Sequence, residues 1–178
     1  KNKWYLAGGT ALALHSGNRK SYDLDFFTEQ KTFDEKEVEK MLHVHGQWKT
    51  TSISSGTIYG LFYGAKMSLI AYPFFKPSHL MVRFGTVSLL TPPDIAIMKI
   101  MAISQRGKKR DFFDLYWICK NVQPLQDSIL KSQRQYSMYP DLTHILKSLV
   151  YFGDAEDDPN PEIYFKATWK DVKNFFNK

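Results

Sequence analysis

The chain has 178 residues, 43% of them hydrophobic, with 13 Phe, 10 Tyr and 4 Trp. That length makes one compact domain, or one with a small appendage, whose core needs no disulfide staples, and the apolar content excludes a disordered chain. The single cysteine, Cys119, excludes an internal disulfide framework, and no apolar run approaches the roughly 18 residues of a membrane span. A cytoplasmic protein with no membrane association is expected. No signal peptide is visible, and the first residue is Lys1 rather than Met, so missing upstream residues are expected. The formal net charge of +6 is uneven: residues 1–60 contribute +1, residues 61–120 contribute +6 and residues 121–178 contribute −1. A surplus in the middle third fits an anionic partner, whether a nucleoside triphosphate, a nucleic acid or an acidic protein, and equally a solvated basic face.

In chain order, Trp4–Ala7 is a short apolar stretch that runs into Gly8-Gly9-Thr10, and residues 11–14 read as a short helix closed by Ser16-Gly17-Asn18. Tyr22 to Phe27 alternates with period two and predicts a strand with Asp23 and Asp25 on one face and Tyr22, Leu24 and Phe26 on the other. Phe33 to Leu42 has helical spacing. From Gln47 to Tyr72 the texture turns to Thr, Ser, Ile, Tyr and Phe between glycines, predicting antiparallel strands near 47–54, 57–63 and 66–72. Residues 81–84 and 87–90 read as further short strands. Thr91-Pro92-Pro93-Asp94 predicts a helix start with Thr91 as N-cap, running to about Ser104. A second helix spans about 109–120. Pro124, Pro140, Pro159 and Pro161 punctuate a remainder of three or four short helices, the last amphipathic over 166–178.

The chemistry-bearing feature is Gly8-Gly9-Thr10 followed thirteen residues on by Asp23-Leu24-Asp25. A glycine pair that ends a strand and opens a helix lets backbone N–H groups approach a phosphate, where the helix N-terminus adds partial positive charge. Two aspartates at i and i+2 on a strand place like charges side by side, and a divalent cation compensates them: Mg²⁺ takes one or two carboxylates plus phosphate oxygens. Phosphates and metal would then meet at one point. Lys99, inside the apolar run 95–103, reads on its own either as a snorkelling side chain or as one aimed at an anionic site. Asp111 and Asp114 share a helix face, where Arg110 can pair with Asp114 at i, i+4. The basic loop from Arg106 to Arg110 is either solvated or a footprint for a triphosphate or RNA backbone.

Leu6–Leu14 and Arg19–Phe27, supported by Lys99 and by Lys109-Arg110-Asp111-Phe112-Phe113-Asp114-Leu115-Tyr116, resemble the nucleotidyltransferase superfamily, and most closely its abortive-infection AbiEii/AbiGii toxin branch. The resemblance covers roughly residues 4 to 120. It implies an α/β (α+β) fold, a small mixed sheet flanked by helices and followed by a helical C-terminal part, with residues 1–90 as the sheet core and 91–178 as a helical part packed as one unit with it. It implies that Gly8, Gly9 and Thr10 cradle the triphosphate and Asp23 and Asp25 ligate Mg²⁺ (or Mn²⁺). Arg19 and Ser21 would steady the site, Lys99 would contact phosphate, and Asp111 or Asp114 would complete the acid set. The implied activity is transfer of a nucleotide from an NTP to an acceptor, with tRNA as one candidate, by the toxin of a toxin–antitoxin system paired with an antitoxin.

One departure stands out. No Asp or Glu occurs in the 54 residues from Lys40 to Pro93, and the strand that would offer a third carboxylate reads Lys66-Met67-Ser68-Leu69-Ile70. Three alternatives follow: Asp111 or Asp114 supplies the third acid, two acids suffice, or the chain is a catalytically impaired relative that binds nucleotide or RNA. Transfer to a small molecule or a protein is a further alternative.

Overall fold

This computed structural model describes residues 4–136 and 141–178, so Pro140 lies outside the described residues. The elements are β1 (Tyr5–Ala7), α1 (Gly8–Ser16), β2 (Leu24–Thr28), α2 (Glu35–His45), β3 (Trp48–Ser54), β4 (Thr57–Phe62), β5 (Ala65–Ala71), β6 (Val82–Phe84) and β7 (Val87–Leu89), then α3 (Pro92–Arg106), α4 (Lys109–Asn121), α5 (Leu125–Gln135), α6 (Leu142–Val150), α7 (Gly153–Glu156) and α8 (Trp169–Phe176). The fold is the mixed α/β arrangement expected, in two compact units. One takes residues 1–11 and 21–90; the other takes 12–20 and 91–178. Residues 12–20, which the sequence places in the first part, thus count with the helical unit.

The sheet unit holds seven strands in the order β3-β4-β5-β2-β1-β7-β6. Its outer part is an antiparallel meander, β3-β4-β5, whose second hairpin turns on Tyr63 (φ +50°) and Gly64 (φ +82°). Two consecutive left-handed residues are what a two-residue hairpin needs to match the strand twist. The middle strand β2 runs parallel to β5 and antiparallel to β1. A parallel neighbour requires a crossover rather than a turn, and α2 with the β3–β4 hairpin supplies it. Alternation then sorts the residues by face. Leu24, Phe26, Met67, Leu69, Ile58 and Trp48 pack with Phe33, Val38 and Leu42, so α2 covers one side of the sheet. Asp25 and Ser68, which are register partners, project to the other.

On the covered side, the indole of Trp48 lies across Gly60. A Cβ there would stand 2.3 Å from the ring and 2.6 Å from the Lys49 carbonyl. Gly60→Ala is therefore expected to destabilise the protein by about 2 kcal/mol through overpacking, read as a lower urea midpoint. A shift below about 0.5 kcal/mol, the size of an ordinary surface substitution, would show that the indole moves aside freely.

In the helical unit, Thr91 is the N-cap of α3 but its hydroxyl does not cap; it reaches Asp94 Oδ2 at 3.4 Å. The helix start rests instead on the Pro92-Pro93 pair, which needs no N–H partners. Gly107, left-handed at φ +52°, ends α3 and returns its N–H to the Ile103 carbonyl. Phe112 and Phe113 of α4 are buried against Phe152, Phe165, Trp169 and Phe176. The terminal helix α8 buries Val172 and Phe176 and opens on a Thr168/Asp171 capping box. The segment 18–20 is stitched to 162–164 by Tyr164 N–H to the Asn18 carbonyl and Lys20 N–H to the Glu162 carbonyl.

Candidate active site

The predicted site residues form two groups, one in each unit. In the sheet unit, β1 ends at Ala7, the register partner of Asp25, and the chain turns at Gly8 into α1. Gly8 has φ +68°, which a side chain resists, and a Cβ there would sit 3.3 Å from Asp25 Oδ2. The glycine therefore serves two ends: it makes the strand-to-helix turn, and it leaves room for the carboxylate. Asp25 Oδ1 accepts a hydrogen bond from Ser68 Oγ at 2.9 Å. Asp23 lies one residue ahead of β2, and Asp23 and Asp25 are both half-buried. Thr10 is buried, and its hydroxyl donates to the Asp23 carbonyl and lies 2.9 Å from Ser21 Oγ. Its side chain thus ties α1 to the approach of β2. The hydroxyl is thus engaged within the unit, while the backbone N–H groups are what the phosphate expectation concerns; Gly9, also buried, is the second residue of α1.

In the helical unit, Arg19, Lys99, Asp111 and Asp114 form one buried network. Lys99 Nζ is 2.7 Å from Asp111 Oδ1 and 2.7 Å from Asp114 Oδ2. Arg19 grips Asp114 with two prongs, Nε to Oδ1 at 2.7 Å and Nη2 to Oδ2 at 2.8 Å, the geometry that makes arginine the favoured partner of a carboxylate. Asn18 Nδ2 adds a third donor at 3.3 Å, and Arg106 Nε reaches Asp111 Oδ2 at 3.1 Å. Both carboxylates are fully buried. Burial alone would push the Lys99 ammonium down, but the Asp111 and Asp114 carboxylates outweigh it and raise its pKa. Burial likewise opposes ionisation of the acids, and Lys99, with Arg106 for Asp111 and Arg19 for Asp114, holds both below the ordinary range. The buried pairing of Asp114 is thus with Arg19 and Lys99, 95 and 15 residues away in sequence. Lys99 has two carboxylate partners, one resolution of the sequence reading that it is aimed at an anionic site.

The loop from Arg106 to Arg110 is also accounted for inside the unit. Lys109 is buried, its Nζ donating to the carbonyls of Glu156 (3.0 Å) and Asp158 (2.6 Å), while Lys108 pairs with the Asp158 carboxylate at 3.1 Å. With Arg106 on Asp111, these cations fasten the loop to α4 and to residues 156–158, while the Arg106 and Lys108 side chains stay about half exposed. The residue that sequence reasoning passed over is Ser68. The family resemblance points to this strand for a third acid, yet the serine's contact with Asp25, 43 residues away, has no local signature.

Among the described residues, no group of three or more His, Cys, Asp or Glu is arranged to hold a metal ion, and no helix is long and apolar enough to cross a membrane. The sequence profile of the AbiEii family, nucleotidyl transferase toxins of type IV toxin–antitoxin systems, matches residues 1–51 and 74–177. The chain belongs to the AbiEii family. It is thereby a nucleotidyltransferase of the toxin class. An uncharacterised protein of Aquifex aeolicus (strain VF5) is 34% identical over 184 residues, covering 99% of this chain and 86% of that protein. Among solved structures, MenT4, a nucleotidyltransferase toxin from Mycobacterium tuberculosis H37Rv, superposes with a TM-score of 0.60 at 16% identity, over 99% of this chain and 75% of its own. At that identity the likeness speaks for the fold. The stretch 52–73 that the AbiEii profile leaves unmatched holds β4 and β5, and with them Ser68.

Proposed function

We propose that this AbiEii member transfers a nucleotidyl group from an NTP to an RNA acceptor, tRNA being the leading candidate, at the Gly8/Asp23/Asp25 cluster of the sheet unit. The observation that carries the reading is the close approach of the Asp25 carboxylate to a left-handed Gly8 at the start of α1. It puts an anion-accepting helix start beside an acid, which is stable when a cation and phosphates lie between them. The donor set is two carboxylates with oxygen ligands only, which fits Mg²⁺ or Mn²⁺ completed by phosphate and water. Asp23 and Asp25 would hold the cation. When bound, it neutralises the triphosphate and lowers the pKa of the attacking hydroxyl.

The chain's own contributions are those of positioning. The N–H groups at the start of α1 take phosphate oxygens, Thr10 and Ser21 fix the backbone at Asp23, and Ser68 fixes the Asp25 rotamer. The acceptor oxygen attacks the α-phosphorus and pyrophosphate leaves. The buried network of Lys99, Asp111, Asp114 and Arg19 supports a scaffolding role for those four residues. We place the protein in the cytoplasm, with an antitoxin as the cognate component of its system.

The test is incubation with α-labelled NTPs, Mg²⁺ and total tRNA. Label in the RNA is expected. Absence of label from RNA, protein and small molecules, together with no NTP binding by calorimetry, would sink the reading. A second reading, an impaired relative that binds NTP without turnover, is favoured by the serine that stands in place of the third acid, and binding without transfer would establish it.

A further inference from the structure

The register of the sheet carries the Asp25 face outward to the β3 edge. Asp25 pairs with Ser68, Ser68 with Tyr59, and Tyr59 with Ser52. The row beside it pairs Lys66 with Leu61 and Leu61 with Lys49. Cross-strand partners share a face, as do residues two apart on a strand, so Asp25, Ser68, Tyr59, Lys66 and Lys49 share one surface. It is open: Tyr59 is 43% exposed, and Lys49, Lys66 and Ser52 are exposed. Because residues 40–93 contain no acid, the meander itself supplies no carboxylate to pair with either lysine. Tyr59 lies two strand spacings, about 10 Å, from Asp25.

We propose that this face is the track along which the single-stranded end of an RNA acceptor reaches Asp25, one base stacking on Tyr59 and the backbone phosphates lying on Lys66 and Lys49. An aromatic platform between cations is the chemistry that holds single-stranded nucleic acid, since every base offers a π-face and every linkage a charge. A duplex offers no free base face to Tyr59. A protein partner is disfavoured, because lysines are depleted at the cores of protein interfaces. The proposal rests on the reading of Asp25 as the reaction centre. Tyr59, Lys66 and Ser68 fall in the stretch that the AbiEii profile leaves unmatched, and Lys49 and Asp25 in the matched part.

Fluorescence anisotropy with a labelled single-stranded RNA, and with the same strand in a duplex, tests it. Tyr59→Ala is expected to weaken single-strand binding about ten-fold, with Tyr59→Phe near wild type. The Lys49→Ala/Lys66→Ala pair is expected to lower the salt slope of log K by about 1.4, about 0.7 per lysine on a single strand. Single-strand affinity indifferent to Tyr59→Ala and to the lysine pair, or a duplex bound as tightly as the single strand, overturns the track. ATP binding lost in Tyr59→Ala while RNA binding persists also overturns it, assigning the face to the nucleotide base. The two readings fail separately. RNA binding that depends on Tyr59 without any label transfer sinks the catalytic reading alone, and transfer to RNA that ignores Tyr59 sinks the track alone.

Discussion

Asp25→Asn should abolish nucleotidyl transfer, by about 10³-fold or more, and leave the far-UV circular dichroism and urea midpoint close to wild type. The asymmetry follows from the side chain's surroundings. Asn is isosteric with Asp and its carbonyl can accept the Ser68 hydroxyl at Oδ1, so the β2–β5 pairing keeps its cross-strand contact. What disappears is the charge at the oxygen facing Gly8, where a cation would be held. Loss of one preorganised electrostatic group in an active site costs about 10²–10³, and removing a metal ligand adds to that. Gly8→Ala should reach a similar end by another route: its φ of +68° disfavours an L side chain, and the new methyl would lie 3.3 Å from Asp25 Oδ2. The left-handed backbone alone costs about 1–2 kcal/mol, so this variant should lose stability as well as activity. An Asp25→Asn protein that retains more than about a tenth of wild-type transfer would remove Asp25 from the reaction; a tenth is only about 1.4 kcal/mol of barrier.

Asp114→Ala is expected to be the most destabilising single substitution in the helical unit, by about 4 kcal/mol. It strands the buried Arg19 and Lys99 cations with one remaining carboxylate, and breaking a buried pair from one side typically costs 3–5 kcal/mol. Against a usual total of about 5–15 kcal/mol, that loss should be visible as a collapsed urea midpoint at neutral pH. Asp111 and Asp114 have folded pKa values below their ordinary ones. Their stabilisation is therefore complete above the unfolded carboxylate range near 4 and is lost as pH falls through the depressed folded values. Lys99 is raised, so its share is complete below about 10.4 and fades only at more alkaline pH. Stability from this network should be level across the neutral range and drop in acid. The double variant Lys99→Met/Asp114→Leu, which removes charge from both sides, should recover part of the loss. A urea midpoint for Asp114→Ala within about 0.5 kcal/mol of wild type would show that the network carries little.

The parts of this molecule legible in the sequence are those governed by local pattern. β3, β4, β5, β6 and β7 fall within a residue of expectation because alternation is strong and the hairpins are marked by Gly56, Gly64 and Gly85, all left-handed. α2 starts two residues later than its apolar spacing suggests. Asp34 takes the N-cap, accepting from Glu37 N–H, and Phe33 packs into the core ahead of the helix. The glycine turn and the aspartate pair were legible as a unit because each makes the other electrostatically sensible. The contacts of Arg19 with Asp114 and of Lys109 with Asp158 were not: partners 95 and 49 residues apart leave no periodic trace. Local rules offered Arg110 for Asp114, and solvent or a phosphate for Lys109; the partners at Arg19 and Asp158 are set by tertiary contacts instead.

The hydrogen bond from Ser68 to Asp25 also sets an order of events during synthesis. β2 is made early, but its parallel neighbour β5 is added only after α2 and the β3–β4 hairpin have left the ribosome. Non-local parallel pairing is among the slower steps of folding, and until it occurs one side of Asp25 lacks its strand. A nascent chain that already carries the glycine turn and both aspartates therefore has the parts of the proposed site without its geometry. With Asp25 as the proposed reaction centre, that order would place activity behind completion of the sheet.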